Sequence, residues 1–128
     1  MTNSVTDNAV QALFRMTHEE LLWENASLIS SFDAQTIKID IEKYKVFTIA
    51  LIGTIANPYL FSALTMSATV GEVGMLVANQ NYNRERMVTI VSNGIQFGEG
   101  KYYKTYASSD KETYNIACIP IAIYGTRR

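Results

Sequence analysis

The chain has 128 residues, 48% of them hydrophobic and 18% charged, with a formal net charge of −1. That length suits one domain, and 11 basic against 12 acidic residues excludes nucleic-acid binding driven by counterion release. A disordered tail, a collagen-like rod and a disulfide scaffold are excluded by composition, since Cys118 is the single cysteine.

The N-terminus has no Lys or Arg before Arg15, so it lacks the basic start of a secretory signal. Residues 5–16, VTDNAVQALFRM, have the pattern of a short amphipathic helix. Thr6 or Asp7 would cap it, and Ala9, Val10, Leu13 and Phe14 share one face. Alone such a helix is marginal, so it must dock on its own domain or on a partner. Residues 1–20 are read as this helix or arm, an anchor or oligomer contact, and residues 21–128 as one β domain. Thr17-His18-Glu19-Glu20 matches a helix-start capping box, but a strand through Leu21 to Glu24 is preferred because Asn25 to Ser31 reads as loop.

Ile37, Ile39 and Ile41 alternate with Lys38 and Asp40, the mark of a half-buried strand. Val46 to Gly71 holds no charged residue and is long enough to span a bilayer as a helix. Asn57-Pro58 at its middle and the scattered Ser and Thr favour two buried strands joined by a turn. Val46 to Ile52 is apolar on both faces, which suits a central strand or one covered by a neighbouring subunit. Shorter strands follow at Leu60–Met66 and Gly74–Ala78. Arg84–Val91 and Ile95–Phe97 flank the hairpin signal Asn93-Gly94. Gly98-Glu99-Gly100 reads as a turn, and Lys101–Ala107 and Tyr114–Tyr124 complete the set. Short strands with regular turns predict an all-β fold, a β-sandwich or jelly roll behind the N-terminal helix or arm.

Chemistry-bearing residues are sparse. His18 is the only histidine, so one chain holds no two-histidine metal site, though a trimer axis would gather three copies of it. Neither a metal ligand set nor a catalytic set is assigned. Gly71-Glu-Val-Gly74 and the glycines at 94–100 lack phosphate-loop spacing. Asp40 and Glu42 sit among Lys38, Lys43 and Lys45, a solvated strand face rather than a glycosidase pair. Cys118 lies in an apolar run and reads as a small buried hydrophobe. Pro120 implies an edge strand or a bulge. Tyr102, Tyr103 and Tyr106, between and beside Lys101 and Lys104, are the candidate ligand-binding residues, able to stack on sugar rings. The alternative is strand packing on opposite faces.

The ordered landmarks Leu21-Leu22-Trp23-Glu24-Asn25, Phe32-Asp33-Ala34-Gln35-Thr36-Ile37, Tyr44, Gly94-Ile95-Gln96-Phe97-Gly98-Glu99-Gly100 and Cys118-Ile119-Pro120-Ile121-Ala122-Ile123-Tyr124-Gly125 cover residues 21–125. Together they resemble a β-rich domain found at the C-termini of bacteriophage tail-fibre and other virion proteins. Family members often carry that domain behind a long fibre region, whereas about 20 residues precede it here. The segment after Tyr44 is also more apolar than the family pattern. The resemblance implies a non-catalytic virion structural protein, a capsid decoration or a fibre or spike head. It would be made in the bacterial host's cytoplasm and carried in the virion, without a cofactor. Its implied partners are copies of itself, as a homotrimer, and other capsid or tail proteins; neither nucleic acid nor membrane is among them. A host-receptor or glycan-binding tail module is the alternative, and a small membrane-associated protein the second.

Overall fold

The computed structural model describes residues 19–27, 30–54, 57–79, 83–103, 111–113 and 115–128. Among the described residues there are nine strands: β1 (Glu20–Glu24), β2 (Gln35–Lys38), β3 (Tyr44–Thr54), β4 (Asn57–Ser67), β5 (Val73–Asn79), β6 (Asn83–Val91), β7 (Gly94–Tyr103), β8 (Lys111–Thr113) and β9 (Ala117–Arg127). They form two antiparallel sheets, one ordered β1-β9-β3-β4 and one ordered β2-β7-β6-β5 with β8 also on β7. The fold is an all-β sandwich. The preferred strand reading of Leu21 to Glu24 holds, and the N-terminal helix reading lies outside the described residues.

Alternation dictates the core. Phe47, Ile49 and Leu51 of β3, paired with Met66, Leu64 and Ser62 of β4, face the second sheet. That sheet returns Leu76 of β5, Val88 and Ile90 of β6, and Ile95 and Phe97 of β7, all buried. Each such side chain removed from water contributes about 1.5–3 kcal/mol. Trp23, Phe32 and Phe97 close one end, with Phe32 edge-on to Trp23 at 5.9 Å and to Phe97 at 5.5 Å between centroids. Two glycines permit close approach. A Cβ at Gly94 would collide with the carbonyl oxygen of Ile37, and one at Gly125 would lie 2.6 Å from Leu22 Cδ1 and 2.8 Å from Tyr44 Cδ1.

Three local expectations change, and one open choice is decided. The uncharged middle is two long strands, but Asn57-Pro58 opens β4 instead of forming the turn. Proline is tolerated there because β4 is the outermost strand of its sheet, where a missing ladder donor costs little. The strand expected through Ile41 stops at Lys38, and Ile41–Lys43 forms a 3-10 turn with Ile41 buried as its anchor. Gly98-Glu99-Gly100 is not a turn. β7 runs straight through it, and the extra residue is absorbed as a bulge opposite Met87, between the pairs Arg86↔Gly100 and Val88↔Phe97. Pro120 sits in β9, an interior strand, so of its two readings the bulge holds. The register slips there, with Leu51 opposite Pro120 and Ala50 opposite Ala122. Asn25 fills the irregularity, its side-chain amide donating to the Pro120 carbonyl at 2.9 Å.

Candidate functional site

The expected tyrosine cluster is only partly visible. Tyr102 is half-buried and pairs across strands with Arg84 and Glu112. Tyr103 is described by its backbone alone, opposite Lys111, and Tyr106 and His18 lie outside the described residues. The grouping of the three rings therefore lies outside the described residues. Asp40 is tied to Lys43 at 3.7 Å on the exposed 3-10 turn. Glu42 is likewise exposed, as expected for a solvated segment.

Cys118 is fully buried, and burial pushes its thiol up to about 12. At neutral pH it is a protonated, apolar-packed group, the opposite of a nucleophile's thiolate. Its backbone has φ +49°, the left-handed region that costs a non-glycine residue about 1–2 kcal/mol. That twist belongs to a node sequence reasoning missed. Arg86, on the inward parity of β6 with Val88 and Ile90, is 0% exposed. Its Nε donates to the Cys118 carbonyl at 3.0 Å and its Nη1 to the Gly98 carbonyl at 2.7 Å. Its Nη2 donates to the carbonyls of Asn115 and Ala117, both at 3.1 Å. The guanidinium also lies 5.2 Å from the centre of the Phe32 ring.

Burial pulls Arg86 down to about 10, opposed by the Asp33 and Glu99 charges, so it remains cationic at neutral pH. Carbonyl dipoles from both sheets thus solvate one buried charge. Asn115 completes the node by accepting the Gly100 amide on its side-chain oxygen at 2.9 Å. The arrangement spends the donors of Arg86 on the protein's own backbone, which makes it a clamp between the sheets, not a ligand site. Arginine at 84 and 86 on the same parity as Val88 and Ile90 in RERMVTIV was the available signal.

Chemistry at the surface lies elsewhere. On the outer face of the β2-β7-β6-β5 sheet, Val73, Met75 and Val77 of β5 pair with Thr89, Met87 and Glu85 of β6. Six large hydrophobic side chains are exposed among the described residues. Val73, Met75, Val77 and Met87 lie on this face, and Val70 lies in the turn that enters it. Beside them is a depression of about 280 Å³ lined by Met75, Glu85, Arg86, Met87, Gly98, Glu99 and Lys101. Its floor is the β6–β7 bulge, and its rim mixes acidic and basic groups. This surface is apolar in the middle and charged around it, and it lies on the last strand of its sheet. Sequence reading missed it because β5 is apolar on both parities (Val73, Met75, Val77 and Leu76, Ala78), which reads as burial on both sides.

Among the described residues no group of three His, Cys, Asp or Glu is placed to hold a metal ion, and no helix is long and apolar enough to cross a membrane. Compared with known proteins, the chain matches no family model, no curated protein and no solved structure.

Proposed function

We propose that this protein is a bacteriophage virion structural protein, a capsid decoration or a fibre or spike head, that works by self-association and docking onto the particle. The observation that carries the proposal is the exposed Val73-Met75-Val77-Met87 face. Exposed apolar surface of this kind marks a protein-contact site, and methionine suits it because its flexible thioether adapts to a partner. The motif order over residues 21–125 supplies the virion context. The landmarks that carry that resemblance serve the fold itself: Trp23 and Phe32 pack together, Asn25 binds the Pro120 carbonyl, and Gly125 admits Leu22 and Tyr44. What they support is therefore a shared scaffold, with contacts carried on its faces.

The test is to image purified phage particles carrying the protein with an epitope tag, alongside sedimentation velocity on the isolated protein. Tag density at regular sites on the capsid or tail, with trimers in solution, is the expected result. Particles without the tag, together with a monomer at all concentrations, would count against the proposal.

A further inference from the structure

Among the described residues the two sheets have four edges, and these are guarded unequally. A sheet edge offers unpaired amides and carbonyls to another strand, and proteins blunt it with short strands, charge, proline or a bulge. Three of the edges carry such devices. β1 is five residues long, holds Glu20 and Glu24, and breaks register between Leu21 and Trp23. β2 is four residues long and ends on Lys38, and β8 continues its side of β7 with Lys111 and Glu112. β4 has Pro58 at its second position and a register break near its start, opposite Ile52 and Thr54. β5 has none of these. Its seven residues, VGMLVAN, include no charge and no proline, and its register with β6 is unbroken. Glu72 is the only charged residue between Lys45 and Arg84.

The ladder fixes which backbone groups of β5 point outward. Ile90 N donates to the Glu72 carbonyl at 2.9 Å, and bonded and non-bonded pairs alternate along an antiparallel ladder. Gly74 and Leu76, opposite Val88 and Arg86, therefore turn their amides and carbonyls to β6. Those of Val73, Met75 and Val77 face the open edge, where no described strand pairs with them. We propose that a second copy of this chain pairs here, β5 to β5 antiparallel, about a two-fold axis at Leu76. That register sets Met75 opposite Val77 of the second copy and Val73 opposite Asn79, so all seven residues of each strand are engaged. Its bonded pairs fall on the odd-numbered residues, the ones whose backbone groups point outward. The strand also complements itself in charge. With none of its own it opposes no like charges, and a chain of net charge −1 approaches its copy with little repulsion. On the outer face, Met87 and Met75 of one copy would continue into Val77 of the other, joining two exposed apolar patches into one stripe. The inference rests on the self-association proposed above and names one contact that carries it. A two-fold contact of this kind links trimers, or single chains where no trimer forms.

The test oxidises the full chain carrying Met75→Cys or Val77→Cys, each variant alone and the two in equal mixture. In the proposed register residues 75 and 77 of two copies lie directly opposite, about 5.5 Å apart between Cα atoms and within reach of a disulfide. Two copies of residue 75, or two of residue 77, lie on a diagonal about 7–8 Å apart and out of reach. The expected result is a crosslinked dimer from the mixture at several times the yield of either variant alone, and a double variant whose crosslinks stop at two chains. Equal yields from all three samples, or double-variant ladders beyond two chains, would overturn the two-fold register. No crosslink from a chain that sediments as an oligomer would overturn the inference and leave self-association standing, whereas no crosslink from a strict monomer would remove both. Crosslinks to a different virion protein in assembled particles, with no dimer, would overturn it in favour of a foreign strand on this edge. As a second measure, Val77→Pro deletes one outward donor and leaves the β6 ladder intact. It should raise the dimer dissociation constant at least about tenfold in sedimentation velocity, with the far-ultraviolet circular dichroism of the parent. Unchanged association would contradict the inference.

Discussion

The two outer faces of the sandwich treat apolar surface in opposite ways. On the four-stranded sheet, small and β-branched residues, Ala50, Ala122, Ile52 and Ile119, are sealed from water. On the five-stranded sheet, Val73, Met75, Val77 and Met87 stand open to it. Hydrophobicity alone does not separate them; side-chain shape does. Alanines present a short, rigid surface that packs closely, whereas methionines present a flexible one that can adapt its shape. The first face contributes to stability within the chain, and the second is the one on which the proposed contacts would form.

The sharpest way to break this comparison is to remove what holds both sheets in register. Arg86→Leu strips the donors from the carbonyls of Gly98, Asn115, Ala117 and Cys118 and should cost about 3–5 kcal/mol in urea unfolding. Arg86→Lys should recover only a fraction, because an ammonium cannot present the planar fan that reaches carbonyls of both sheets.

Next in size, Ala50→Leu or Ala122→Leu should destabilise by about 1–3 kcal/mol, the cost of forcing extra methylenes into a packed interface. An effect within about 0.5 kcal/mol, the range for open surface, would erase the contrast between the faces. On the other sheet, Met75→Ser with Met87→Ser should leave unfolding within about 1 kcal/mol of the parent. The same pair should reduce self-association, read by sedimentation velocity.

The smallest effect concerns pH. Arg127 donates to Glu20 from Nε at 2.8 Å, and this hydrogen bond and charge hold the Glu20 carboxyl below its ordinary 4.5. A lowered folded value means the pair's contribution is present above pH 4.5 and fades as the pH falls through the lowered value. Because both groups are exposed, Glu20→Gln should flatten the acid limb of a pH–melting curve only slightly, and less still in high salt.

Much of the architecture was legible in the chain, for a physical reason. Alternation in Arg84–Val91, the Asn93-Gly94 turn and the doubly apolar Val46–Ile52 each reflect an environment set mainly by strand geometry. What could not be read depends on pairing. Gly98-Glu99-Gly100 has the composition of a turn and becomes a bulge only because β6 supplies one residue fewer opposite it. Asn57-Pro58 carries turn chemistry yet starts a strand, because the edge position forgives it. The candidate site was less legible. Tyr102, Tyr103 and Tyr106 stood out by residue type, whereas the exposed β5–β6 face is defined by which sheet ends up outermost. Arg86 could be flagged as a misfit in an apolar strand, but its acceptors come from residues 12 to 32 positions away.

The twisted backbone at Cys118 has a practical corollary. The only native thiol is sealed in the interior and remains protonated far above neutrality. The folded protein should be silent toward maleimides and disulfide reagents until it is unfolded. Any surface position exchanged for cysteine would then carry the sole reactive handle, and reporter dyes could be placed on either face without first engineering the native sulfur away.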